Sequence, residues 1–302
     1  MADNTAILLL AHGTPDALDE IPAYLSNITG GRPMPASVVE EIRHRYSLIG
    51  ISPLTRRTLE QGRLLSEKIG LSVYIGMRNW KPYIADAVGR MREDGVTRLV
   101  AICLAPQNSR TSVGLYRRAL DAAAGGMQVE FIEGWADHPL LADAFAQRLR
   151  AVLDLQPSAP PVLFTAHSVP VRTLEASAEA AADPYADEAR RTAALVAERV
   201  GLAGDRWYFA FQSQGMSGGP WIGPTVEDTL TTLRRRGFTT VVIDPIGFLC
   251  DHVEILYDID IAFREFAATL QMELLRPASL NDSSLLTAAL ADIAQKGVAR
   301  LG

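Results

Sequence analysis

The sequence predicts an α/β protein built as two similar halves, each a four-stranded parallel sheet flanked by helices. Three observations lead there. Short apolar runs alternate with helix-length polar-patterned stretches, as buried strands do in parallel βαβ order. The chain echoes itself about half-way along. At 302 residues it is also about twice the length of a typical domain.

In chain order, the first four runs are Ala6–Ala11, Val73–Met77, Leu99–Leu104 and Val129–Ile132. The next four are Val162–Ala166, Trp207–Phe211, Val241–Ile246 and Met272–Leu275. Between the two sets lies Gln156-Pro157-Ser158-Ala159-Pro160-Pro161, the one clear linker signal. It divides the chain into halves at 1–157 and 158–302, with a final helix over about 282–300 expected to pack back on the first half. Leu8-Leu9-Leu10-Ala11-His12-Gly13-Thr14-Pro15 is echoed by Leu163-Phe164-Thr165-Ala166-His167-Ser168-Val169-Pro170: a strand entering Ala-His-x-x-Pro. A second echo joins Asp94-Gly95-Val96-Thr97-Arg98-Leu99-Val100 to Arg236-Gly237-Phe238-Thr239-Thr240-Val241-Val242.

Composition narrows the function classes. Hydrophobic residues are 48% and charged residues 21%, which excludes a mainly disordered chain. The formal charge is −6 and no Lys/Arg tract is interleaved with aromatics, so no nucleic-acid partner is expected. Two cysteines, Cys103 and Cys250, lie far apart in apolar runs and form neither a disulfide framework nor a four-cysteine metal site. The start Met1-Ala2-Asp3-Asn4 is acidic, unlike a signal peptide, and no run approaches the ~18 apolar residues of a membrane span. A cytoplasmic protein without a transmembrane segment is the expectation.

His12 and His167 each follow a strand at its carboxyl end, where open parallel sheets bind ligands. A single histidine there more often satisfies local backbone groups, but two at equivalent positions of a repeat favour one shared cleft. The densest polar cluster is Phe248-Leu249-Cys250-Asp251-His252-Val253-Glu254-Ile255-Leu256-Tyr257-Asp258-Ile259-Asp260. It is expected to open a helix, with Asp251 as N-cap and Glu254 completing a capping box. Glu254 and Asp258, four apart, share a helix face, so their carboxylates raise one another's proton affinity and attract cations. A closed structural zinc site needs four ligands, whereas an open imidazole–carboxylate pair suits passing handling of Fe²⁺ or a similar ion. Ala11-His12-Gly13-Thr14-Pro15 has neither the dinucleotide nor the Walker glycine pattern. Thr29-Gly30-Gly31-Arg32-Pro33 and Arg43-His44-Arg45-Tyr46 offer guanidinium forks for carboxylates, or else a solvated helix face with Glu40 and Glu41. Trp221, in the polar stretch Gln212–Pro224, suits either stacking on a flat ligand or plugging a domain seam.

These residues resemble the ferrochelatase family. Ala166-His167-Ser168-Val169-Pro170 is similar to its catalytic-histidine motif, and Gly247-Phe248-Leu249-Cys250-Asp251-His252-Val253-Glu254-Ile255-Leu256-Tyr257-Asp258 to its Gly-Phe-x-x-Asp-His-x-Glu-x-Leu-Tyr signature. Gln212-Ser213 with Trp221-Ile222-Gly223-Pro224, Leu104-Ala105-Pro106-Gln107-Asn108-Ser109 and Ile51-Ser52-Pro53-Leu54 match further landmarks, so the likeness runs from about residue 7 to about 285. The resemblance implies two Rossmann-like halves with a porphyrin in the inter-domain cleft. It implies a lyase that inserts Fe²⁺ with loss of two protons, His167 and Glu254 being the metal-side pair and Asp258 a proton relay. It also implies that Fe²⁺ is the substrate, that no organic cofactor is needed, and that the enzyme is a monomer.

The start Ala-x-Gly-Thr-Pro and the charged stretch from Ile28 to Gly50 are similar to the coproporphyrin III branch, and no cysteine set for an iron–sulfur cluster exists. The resemblance thus implies coproheme as product, handed to a coproheme decarboxylase. Arg32, Arg45, Thr14, Ser52, Tyr116 and Ser213 would be propionate-side partners, and Trp221 would lie against the ring. His12 would approach the iron opposite His167, where that branch usually has Tyr. Ala262 stands where an acid usually continues the row after Asp258, so the relay is shorter or is completed through Asp260 or water. Ile49-Gly50-Ile51 is one glycine short of the usual pattern. The alternatives are a protoporphyrin IX ferrochelatase, a cobalt or nickel chelatase for sirohydrochlorin, and a non-catalytic tetrapyrrole carrier ligating through His12 and His167. A two-domain protein for a small anion would leave the histidines unexplained.

Overall fold

The computed structural model describes residues 4–176, 181–215 and 219–302. Residues 1–3, with the acidic Asp3, and the centre of the 212–224 stretch lie outside them. The first half runs β1 (Thr5–Ala11), α1 (Ile21–Thr29), α2 (Ala36–Ile49), α3 (Leu54–Ile69), β2 (Val73–Met77), α4 (Ile84–Glu93), β3 (Arg98–Cys103), α5 (Val113–Ala123), β4 (Gln128–Ile132) and α6 (Pro139–Leu153). The second runs β5 (Val162–His167), α7 (Tyr185–Val200), β6 (Trp207–Gln212), α8 (Val226–Arg235), β7 (Thr240–Asp244), α9 (Val253–Leu256), α10 (Arg264–Thr269), β8 (Glu273–Leu275) and α11 (Ser284–Arg300).

The strands form two parallel sheets of identical order, β2-β1-β3-β4 and β6-β5-β7-β8. This is the expected fold, with strand ends shifted by at most two residues. The largest shift, at β7, has a simple cause: Pro245 has no N–H for the ladder, and the chain turns there with Ile246 N–H donating to the Asp244 carbonyl.

Each central strand is buried on both faces, which is why it reads as an unbroken apolar run. Ile7, Leu9 and Ala11 of β1 face one layer, and Ala6, Leu8 and Leu10 face α4 and α5. The first layer does not stop at the half boundary. It joins β1 and β3 to Val162, Phe164 and Val242 of the other sheet through α6, α7 and α11, so the halves share one continuous core. The last helix, α11, packs on α3, α6, β3 and β4 of the first half. A polar seam adds direction to this apolar contact. Gln107 Nε2 donates to Thr192 Oγ1 (3.1 Å), Asn108 N to Glu188 Oε2 (2.6 Å) and Arg110 N to Asp183 Oδ2 (2.7 Å). Among the described residues, no helix is long and apolar enough to cross a membrane.

Because the sheet orders match, β1 and β5 occupy equivalent central positions, and both deliver a histidine at the carboxyl end. Gly13 turns the chain away after His12 with φ +81°, and a Cβ there would sit 2.8 Å from Trp80 N. Gly247 crosses behind β5 so closely that a Cβ would lie 2.8 Å from Ala166 Cα.

The segment after β7 departs from the single capped helix expected. It is broken into α9, a π-helical turn over Asp258–Phe263, and α10. Asp251 is not the cap: Ser279 Oγ (2.7 Å) and Asn281 Nδ2 (2.8 Å) donate to its two oxygens. His252 holds the N-cap position with extended backbone and no side-chain cap bond. Packing against the loop after β8 therefore overrides the local capping pattern.

Candidate active site

His167 ends β5, and its position is fixed from three sides. Tyr185 Oη donates to its carbonyl (2.9 Å), the next residue's N–H donates to Gln212 O (2.7 Å), and its Nδ1 contacts the Ser168 carbonyl. That contact makes Nδ1 the protonated nitrogen and turns Nε2 toward the cleft. Nε2 lies 3.5 Å from Glu254 Oε1, and the other Glu254 oxygen lies 3.6 Å from His252 Nε2. The side chains of His167 and Glu254 are 35% and 31% exposed, so water reaches the pair.

Gln212 holds the backbone of the Glu254 turn. Its Oε1 accepts from Thr165 Oγ1 (2.6 Å) and its Nε2 donates to the Glu254 carbonyl (3.0 Å). The electrostatics follow from this crowding. Burial disfavours charge on both partners, but mutual attraction wins. His167 is raised above the ordinary imidazole value, while the two imidazoles hold Glu254 well below the carboxylate range. Asp258 behaves oppositely: burial and the Glu254 charge push it up to about 6, against a hydrogen bond from Ser213 Oγ and the Arg45 charge.

His12 faces this pair from the other half. Asn79 Nδ2 lies 3.2 and 3.0 Å from its two ring nitrogens, and Tyr24 meets the ring edge-on at 6.4 Å. The surrounding walls and the Arg78 charge lower its proton affinity, so it stands as neutral imidazole at pH 7. Between the histidines is a cavity of about 320 Å³, lined by His12, Arg78, Tyr116, His167, Trp221, His252, Glu254 and apolar surface from Leu54, Leu104, Val169 and Phe248–Leu249.

The structure therefore brings together His12, His167, Glu254, Tyr116 and Trp221 around one space. Asp258 adjoins Glu254 but, with Ser213, is not in the cavity lining. Thr14 and Ser52 are buried and hydrogen-bonded to each other (3.1 Å). Arg32 is exposed, with Nε donating to its own Thr29 carbonyl (3.0 Å). Arg45 is paired with Glu41 (2.9 Å), approaches Asp258 (3.8 Å) and lies 5.0 Å over the Tyr257 ring. Glu40 and Arg43 form an exposed pair, the solvated face that the sequence allowed.

Asp260 does not continue a row of acids into the cleft. Arg276 grips it bidentately, at 2.8 and 2.7 Å, and Arg276 Nη1 also lies 3.6 Å from Asp251. One guanidinium thus ties both ends of the turn that carries Glu254. Sequence reasoning missed Arg276, Gln212's anchoring role and Arg78. Arg78 was findable, since it follows β2 at the same carboxyl edge that singled out the histidines. Among the described residues, no group of three or more His, Cys, Asp or Glu is arranged to hold a metal.

A family model described as Ferrochelatase matches residues 4–298. The chain is 66% identical to a ferrochelatase of Acidobacterium capsulatum over 316 aligned positions, covering 100% of this chain and 97% of that one. It is 34% identical to a coproporphyrin III ferrochelatase of Geobacillus kaustophilus, covering 100% and 99%. In fold it is similar to the SirB structure from Bacillus subtilis with Fe³⁺ (TM-score 0.59, 13% identity, 98% and 96% covered). It is likewise similar to CbiX, the terminal enzyme of siroheme biosynthesis in denitrifying bacteria (TM-score 0.54, 16% identity, 96% and 98% covered).

Proposed function

The chain belongs to the ferrochelatase family, the haem-biosynthesis chelatases, and from that premise we propose that it inserts Fe²⁺ into coproporphyrin III to give coproheme. The observation that carries the reading is the His167–Glu254 pair facing His12 across one cavity. Insertion exchanges one Fe²⁺ for two pyrrole N–H protons, with no change of oxidation state. It therefore needs a lone pair and a negative charge over the ring centre, and a route out for two protons.

Nε2 of His167, its proton affinity raised by Glu254, faces that carboxylate across 3.5 Å. Fe²⁺ drawn to Glu254 offsets that attraction, so any proton shared between Nε2 and Glu254 passes to water, which reaches the pair, and Nε2 is left as a neutral base for a pyrrole proton. Asp258, with its carboxyl near 6, can pick up and release protons at neutral pH next to Glu254. Neutral His12 on the opposite wall suits axial contact with the iron of the product. The reading requires no organic cofactor and no iron–sulfur cluster.

The choice of ring is supported by the coproporphyrin III relatives at about one-third identity and by the polar wall of Ser109, Thr111, Ser112 and Tyr116 in the cavity. Arg32, Arg45, Thr14, Ser52 and Ser213 are assigned to the propionate side from the family likeness, with Trp221 against the ring. The protein would act as a monomer in the cytoplasm and hand coproheme to a decarboxylase. The second reading, protoporphyrin IX as substrate, is favoured by the apolar share of the cavity lining.

The test is anaerobic Fe²⁺ insertion followed by absorbance, with coproporphyrin III and protoporphyrin IX side by side, in wild type, His167→Ala and Glu254→Gln. Turnover of coproporphyrin III, reduced at least about a hundredfold by either change, is the expected result. Turnover of protoporphyrin IX alone overturns the choice of ring. Ring binding without insertion by wild type leaves a carrier.

A further inference from the structure

We propose that Arg78 is a carboxylate receptor inside the cleft, anchoring one acidic side chain of the bound porphyrin; the inference rests on the porphyrin reading above. Arg78 leaves β2 at its carboxyl edge, its backbone N–H donating to the Ala11 carbonyl (3.0 Å), so its side chain starts beside the His12 turn. Among the described residues it is the one Arg or Lys that lines the cavity. Its Nε is buried without a hydrogen-bond partner, and among the described residues no carboxylate forms an ion pair with its guanidinium.

Three other arginines near the site are already engaged. Arg45 has Glu41, Arg276 has Asp260 and Asp251, and Arg110 has Asp183. The groups that act on Arg78 are Tyr116, Tyr24 and Arg118, two neutral phenols and a second cation. Its charge in turn bears on His12.

A half-buried guanidinium stays charged, and leaving it uncompensated costs free energy. A protein usually supplies the counter-charge itself; here the described residues do not, and Arg78 lines the ligand cavity. A carboxylate matches the guanidinium fork in bidentate geometry. Tyr116 and the hydroxyls of Ser109, Thr111 and Ser112 line the same cavity and can donate further hydrogen bonds to it. A planar ring with carboxylate arms, placed between His12 and His167, would bring one arm to this wall.

The experiment measures binding of metal-free coproporphyrin III and of its tetramethyl ester by fluorescence quenching, for wild type, Arg78→Met and Arg78→Lys. Loss of a charge-assisted contact predicts about 10- to 100-fold weaker binding of the free acid by Arg78→Met. Arg78→Lys recovers part of the loss, and the ester shows no difference between proteins. KM for the acid rises more than kcat falls. Ligand-free Arg78→Met melts at the same or a higher temperature than wild type, because an uncompensated charge has gone; this also shows that the variant folds. Equal losses for acid and ester overturn the proposal, as does unchanged binding of the acid. A change confined to the pH profile of insertion would assign Arg78 to His12 instead. If wild type binds neither ring, the porphyrin reading itself fails; if wild type inserts iron and Arg78→Met matches it, the Arg78 inference alone fails.

Discussion

Asp244→Asn is expected to make the protein more stable at pH 8 and to flatten the dependence of its stability on pH. Asp244 ends β7, pairs in register with Phe164 and is 2% exposed. Its Oδ2 is buried without a hydrogen-bond partner. Burial pushes its carboxyl up to about 7, with the Arg276 charge opposing. The unfolded chain releases the same proton near pH 4. Between those values the folded protein holds a proton that the unfolded chain has lost, so stability falls as pH rises through this window. Above about pH 7 the penalty is complete. Three units at about 1.4 kcal/mol each set an upper bound of about 4 kcal/mol. Asparagine keeps the size and cannot ionise. Urea unfolding at pH 5, 6, 7 and 8 should show the two proteins within about 1 kcal/mol at pH 5 and the variant ahead by about 2–4 kcal/mol at pH 8. Parallel profiles would refute the assignment of a buried, unpaired carboxyl.

Two further substitutions test what holds the site and the halves in place. Arg276→Met removes the clamp on Asp260 and Asp251, whose side chains are only about one-fifth exposed. It should cost about 3 kcal/mol in urea unfolding. It should also lower iron insertion at least about tenfold by loosening the Glu254 turn, while coproporphyrin III binding changes little; unchanged insertion would separate Arg276 from the site. Gly297→Val places a Cβ 2.5 Å from Val100 Cγ1, where α11 lies on β3. Overpacking there should destabilise by about 1–3 kcal/mol, read as a lower urea midpoint, and a neutral result would mean that α11 is free to shift away from the sheet.

The fold was legible because its signals are local. A strand buried on both faces needs apolar side chains in succession, so Ala6–Ala11 and Val162–Ala166 show themselves without reference to anything distant. The histidines were legible by the same route, as residues following central strands. Glu254 stood out in its dense motif, yet the helix drawn around it was wrong in detail. Asp251 followed by Glu254 is a capping pattern only if Asp251 is unclaimed, and Ser279 and Asn281, about 30 residues later, claim it.

The sequence by itself determined eight buried strands, two repeated halves, the paired strand-end histidines and the family. Hydrophobic periodicity and strand-end position are properties of a few consecutive residues. Tertiary structure decided which polar groups spend their bonds on one another. Thr14 meets Ser52 across 38 residues, Arg276 holds Asp260 across 16, and Asn79 reaches His12 across 67. It also joined the halves through α6, α7 and α11 into one core, and left Arg78 lining the cavity with no counter-charge among the described residues. A hydrogen bond or ion pair depends on distances of a few ångströms between groups far apart in the chain. Only packing sets those distances.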